Sequence, residues 1–96
     1  MLRKFWVRRG AKMLDRLRPG WENAIVVESL DMDNICDCVL GQLYGSYCEG
    51  LGALGLNGRY GCTYGFNIFP TRDSKIESTM EKLTTLWVAE INKRRN

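Results

Sequence analysis

The residues with most chemistry to offer are four cysteines. Cys36, Cys38 and Cys48 crowd into "CDCVLGQLYGSYC", and Cys62 follows. Thiolates can hold zinc or iron, or exchange disulfides. The spacing C-x-C-x9-C-x13-C lacks the paired C-x2-C knuckles of zinc sites. On a helix Cys36 and Cys38 point about 160° apart, and Cys48 lies about 18 Å further along the axis. No two of them could then share a zinc ion, whose sulfurs sit about 2.3 Å from the metal. The expectation is therefore no metal and no cofactor. Cys38 falls on the solvent side with Gln42 and Glu49, Cys36 in the core, and Cys48 in a line of small residues. Cys38 is thus the thiol expected to react, although neighbouring Asp37 offers it no activation.

The chain contains no histidine. That removes the commonest general base and every Ser/His or Cys/His pair. No phosphate-binding loop or dinucleotide fingerprint is present. Asp31, Asp33 and Asp37 loosely match a calcium loop, but the glycine and terminal glutamate of such a loop are not in place. No catalytic residue is assigned, and the protein is read as a non-enzyme.

These residues must be positioned by helices. Asp33 or Asn34 can cap a helix running from about Ile35 to Leu54. Cys36, Leu40, Leu43, Tyr47, Leu51 and Leu54 share one face of it, with Val39 and Tyr44 widening the stripe. Beside the stripe, Gly41, Gly45, Cys48 and Gly52 form a groove suited to close approach of another helix. Helical glycine costs roughly 1 kcal/mol relative to alanine. The alternative is that this helix stops near Tyr47 or Gly50 and the later glycines are loop. The C-terminal segment reads most cleanly. Ser74 and Glu77 make a capping box. Ile76, Met80, Leu83, Trp87 and Ile91 form its buried stripe, with Leu86 beside it, and Lys93 to Arg95 suit the negative end of the dipole.

"RPGW" (Arg18 to Trp21) breaks the chain near its start. Before it, Ala11 to Leu17 predicts a short helix through Met13, Leu14 and Leu17. Gly10 interrupts any extension towards Leu2, so residues 1–10 are read as a loosely attached basic arm and 11–96 as the domain. After the break, Trp21, Ile25, Leu30 and Met32 anchor a buried connector. Residues 55–70 hold Asn57-Gly58, either a hairpin turn or a structured loop, with Tyr60, Tyr64, Phe66, Ile68 and Phe69 capping the core. The fold class is mainly α: a small helical domain of three to four helices with an aromatic, glycine-rich loop.

Composition agrees with one folded domain: 96 residues, 45% apolar and 26% charged. No apolar run approaches the ~18–20 residues of a membrane span. The start has basic residues but no apolar run behind them, so no secretory signal is expected and the thiols are expected to be reduced. The net charge of +3 conceals a partition: residues 1–18 carry +6, residues 19–58 carry −6 and residues 59–96 carry +3. The basic start either lies on the acidic middle or faces a partner.

Two surfaces could meet a partner. One is the Cys38, Gln42 and Glu49 face. The other is the N-terminal arm, with Arg3, Lys4, Phe5, Trp6, Arg8 and Arg9. Joined by Lys12, Arg16 and Arg18, the arm could grip phosphates and stack a base, or lie on an anionic membrane surface. Against DNA stand the acidic middle and the lack of helix-turn-helix spacing.

"LDRLRPGW" (14–21), "LDM" (30–32), "CVLGQLYGSY" (38–47), "YGF" (64–66) and "LTTLW" (83–87) resemble small proteins encoded by phages of actinobacteria. The resemblance spans most of residues 14–91 and brings no functional residue with it. It implies a phage accessory gene working in bacterial cytoplasm. Such proteins commonly bind and redirect a host or defence protein, so a non-enzymatic protein-binding role is the leading expectation. A nucleic-acid-binding regulator using the basic N-terminal residues is the alternative. A homo-oligomer would follow if the glycine groove packs between chains.

Overall fold

The computed structural model describes residues 2–56, 58–67 and 76–95, which contain six α-helices and no strand. They are α1 (Leu2–Leu17), α2 (Trp21–Ala24), α3 (Val39–Tyr44), α4 (Tyr47–Ala53), α5 (Gly58–Thr63) and α6 (Ile76–Arg95). A 3-10 turn covers Val27–Ser29. The mainly α class holds. Ile68 and Phe69, Ser74 and the Glu77 side chain, which carry parts of the aromatic-loop and capping-box readings, lie outside the described residues. Of the other loop aromatics, Phe66 is buried, whereas Tyr60 sits on the outside of α5 and is 53% exposed.

α1 starts at Leu2 rather than Ala11, so residues 2–10 are not a separate arm. Val7, Ala11 and Leu14, at i, i+4 and i+7, are at most 1% exposed and weld both halves of the helix to the core. Gly10 does not interrupt α1 because its missing side chain is what the packing requires. A Cβ there would collide with the Tyr64 carbonyl oxygen and sit 3.1 Å from the Trp87 ring. The tertiary contact outweighs the weak helix propensity of glycine. α1 ends at Pro19 and at Gly20, whose φ of 83° suits only a residue without Cβ.

The helix expected over Ile35–Leu54 is instead a turn segment followed by two helices. Asp31 Oδ1 accepts the Asp33 N–H at 3.0 Å, and Asn34 Oδ1 accepts those of Cys36 and Asp37 at 2.8 and 3.0 Å. Asn34 thus caps a single turn, closed by the Cys38 N–H on its carbonyl at 2.9 Å, but the turn does not propagate, because the Ile35 carbonyl accepts the Tyr47 N–H at 2.9 Å and the Asp37 carbonyl accepts the Asp31 N–H at 3.2 Å. α3 begins only after Cys38, which replaces Asp33 or Asn34 as the cap. Its Sγ accepts the Gly41 N–H at 3.2 Å. Gly45, at φ 98°, ends α3, and Ser46 Oγ caps α4 by accepting the Glu49 N–H at 3.1 Å. The two helices fold onto each other at Gly50, where a Cβ would lie 2.6 Å from that of Leu40. The apolar stripe survives the break: Leu40, Leu43, Leu51 and Leu54 are all buried.

The four connector anchors, Trp21, Ile25, Leu30 and Met32, are buried as expected. The lone extended stretch finds its partner in one side chain. Gln42 accepts the Val26 N–H at 2.7 Å and donates to the Val26 and Asp37 carbonyls at 3.2 and 3.1 Å.

α6 is the central beam. Met80, Leu83, Trp87 and Ile91 are at most 5% exposed. Trp87 stacks on Phe66 with centroids 5.4 Å apart and meets Trp21 edge-on at 5.8 Å. Its indole N–H donates to the Gly65 carbonyl at 2.6 Å. The basic end of α6 is structural, through contacts more specific than the helix dipole. Arg94 reaches Asp15 on α1 at 3.0 Å and Glu90 at 2.6 Å. Arg95 donates to the Glu22 and Ile25 carbonyls. The Arg94 guanidinium holds the Asp15 carboxyl below its usual range, and Asp15 raises Arg94 in return.

Candidate interaction surface

The four thiols do not sit where a helical wheel puts them. Cys38 is 2% exposed, while Cys36 is exposed. The expected assignments are therefore reversed, because the wheel assumes a helix where turns exist. Cys48 is exposed and Cys62 buried. Burial pushes both the Cys38 and Cys62 thiols upward from their ordinary values. Among the described residues no set of three thiols or carboxylates is placed to hold a metal ion. A thiol reagent such as Ellman's is expected to modify Cys36 and Cys48 quickly in the folded protein, and Cys38 and Cys62 only on unfolding. Rapid labelling of Cys38, read by peptide mapping, would contradict this placement.

The Cys38, Gln42 and Glu49 face does not form. Cys38 caps α3 from inside the core, Gln42 is committed to the connector, and only Glu49 stays exposed. The expected small-residue groove does not form either. A Cβ on Gly41 would meet the backbone of Ile35 and Cys36 at 2.5 Å, so its close neighbour is the preceding turn and not another helix. Gly45 is a turn glycine, Cys48 faces out, and a Cβ on Gly52 would meet nothing within 4 Å. The close approaches are at Gly10, Gly50, Gly61 and Gly65 instead.

The basic residues are brought together by α1. At about 100° per residue, Phe5, Arg8, Arg9, Lys12 and Arg16 fall within roughly 100° of one another, opposite Val7 and Leu14. Lys4, Arg8, Lys12 and Arg16 make an unbroken i, i+4 row of exposed side chains; Arg3 is exposed too, but heads the Val7 and Ala11 row on the other side of the helix. Phe5 is 59% exposed in the same face. Trp6 is half-buried at its edge. Arg8 is partly neutralised by Glu90 at 3.5 Å, and Arg9 lies over the Tyr64 ring at 4.5 Å. Among the described residues no ion pair involves Arg3, Lys4, Lys12 or Arg16. The sequence already joins Lys12 and Arg16 to the arm; that they continue one four-residue row becomes visible once α1 is continuous through Gly10.

The acidic middle lies elsewhere. Glu28, Asp31, Asp33 and Asp37 join Glu81 of α6 around an open cleft of about 650 Å³. Its α6 wall includes Glu81, Thr84 and Thr85, whereas α1 is paired with Glu90 and Arg94. Thr84 sits roughly 80–120° around the helix from those two residues. The basic start thus does not neutralise the acidic middle among the described residues, and the molecule keeps two charged faces of opposite sign.

Fold and surface together define a small all-α protein with an exposed cationic face on α1. No helix among the described residues is long and apolar enough to cross a membrane. No protein-family model, curated protein or solved structure matches the chain.

Proposed function

We propose that the protein is a non-enzymatic binding protein whose working surface is the outward face of α1. One observation supports this above others: α1 spends its apolar side on the core, while Lys4, Lys12 and Arg16 stay exposed and without ion pairs among the described residues. Unneutralised cations aligned on a rigid helix attract a negatively charged macromolecule and speed its encounter. The setting implied by the phage resemblance is an infected actinobacterial cytoplasm. There the partner belongs to the host or to its defences, and binding diverts it.

Affinity capture from a host lysate tests the reading. The wild-type chain is expected to retain a partner that Lys12→Glu/Arg16→Glu loses, with circular dichroism confirming that both chains are folded. Equal retention by the two would contradict it.

A further inference from the structure

We infer that the α1 face takes the phosphate backbone of a nucleic acid, an inference that rests on α1 being the working surface. Three features separate this partner from an acidic protein or an anionic membrane. First, the face has no apolar centre. Protein interfaces concentrate aromatic and aliphatic side chains at their core and are depleted in lysine, whereas nucleic-acid interfaces are more polar and far more positively charged. Here Phe5 is the single exposed aromatic among Arg8, Lys12 and Arg16.

Second, a membrane-lying helix must bury an apolar face in lipid. Val7, Ala11 and Leu14 are already at most 1% exposed within the protein core, so that face is not available. Third, the cations stand in one row that winds only about 40° around the helix per step. Lys4 to Arg16 covers about 18 Å with a cation every 6 Å, a ladder that can follow a duplex carrying one negative charge per ~1.7 Å of its axis. The acidic cleft does not oppose such docking, because its Thr84 wall is turned roughly 80–120° around α6 from the α1 contacts. Phe5, on the same face, offers a ring on which an unpaired base can stack.

Binding of the full chain to a labelled duplex of about 20 base pairs and to a single strand of equal length, across a salt series, tests the inference. Four phosphate contacts predict a log–log salt slope of about −3 to −4 on duplex, and roughly hundredfold weaker binding at 200 mM than at 50 mM salt. Lys12→Gln/Arg16→Gln should flatten that slope by about 2. Vesicles containing phosphatidylserine should bind more weakly than duplex.

Lack of nucleic-acid binding by the folded wild type at 50 mM salt would overturn the inference, as would an unchanged slope in the double variant or tighter binding to the vesicles. A nuclease-treated lysate separates the two levels. A partner still captured through α1 after nuclease treatment overturns nucleic acid as its class and leaves the surface standing. Capture that ignores Lys12 and Arg16 overturns both.

Discussion

Replacing Trp87 with alanine should destabilise the protein by about 3–5 kcal/mol. A chain of this length is expected to have only about 5–14 kcal/mol in total, so the loss should take a large share of the whole margin and lower the unfolding midpoint markedly. Three losses coincide. The side chain is 0% exposed, and its removal opens a cavity between α6, α1, α2 and the Gly65–Phe66 turn. The stacked contact with Phe66 and the edge contact with Trp21 disappear together. The Gly65 carbonyl, buried and bonded to the indole N–H at 2.6 Å, loses its donor. Trp87→Phe separates these contributions: it keeps a ring in the stack and should cost only about 1–3 kcal/mol, mainly through the orphaned carbonyl. Urea unfolding followed by circular dichroism measures both. Near-equal, small effects would mean that Trp87 is not the centre of the core.

The same substitution at two helical glycines should have opposite signs. Alanine is favoured over glycine in a helix by roughly 1 kcal/mol. Gly52 is exposed, and an added methyl there would meet nothing within 4 Å, so Gly52→Ala should realise up to that gain. At Gly10 the methyl would meet the Tyr64 carbonyl oxygen, backbone that cannot swing aside, as well as the Trp87 ring at 3.1 Å. Overpacking of that kind costs roughly 1–3 kcal/mol, so Gly10→Ala should be net destabilising despite its better propensity. Denaturation midpoints of the two variants check the pair. Stabilisation by Gly10→Ala would mean that α1 does not pack on this seam.

How much of this is legible in the sequence depends on where the deciding contact lies. α6 reads correctly from Met80 onward because its period runs unbroken to Ile91, and three of the connector anchors because Trp21, Leu30 and Met32 are large apolar residues among polar or glycine neighbours. The helix expected from Ile35 fails for a local reason: the carbonyls that would continue it are taken, that of Ile35 by the Tyr47 N–H and that of Asp37 by the Asp31 N–H. Asn34 is visible as a cap, but these backbone partners are not. Gly10 fails for a distant one. Its partners, Tyr64 and Trp87, are far away in the chain, so a packing glycine reads as a breaker. The cysteine assignments inherit the first error. For the surface, the residue types are plain in the sequence and their arrangement is not. An arm of scattered cations becomes an ordered row only because α1 is continuous.

A paired titration tests the central claim most directly. Lys12→Gln/Arg16→Gln removes two charges from the outward face of α1, and Lys82→Gln/Lys93→Gln removes two from exposed positions on α6. Both variants have the same net charge. If the α1 row is the working surface, duplex affinity near 100 mM salt should fall at least tenfold in the first variant and change by no more than about twofold in the second. Equal losses would show that overall charge, and not the face of α1, governs binding.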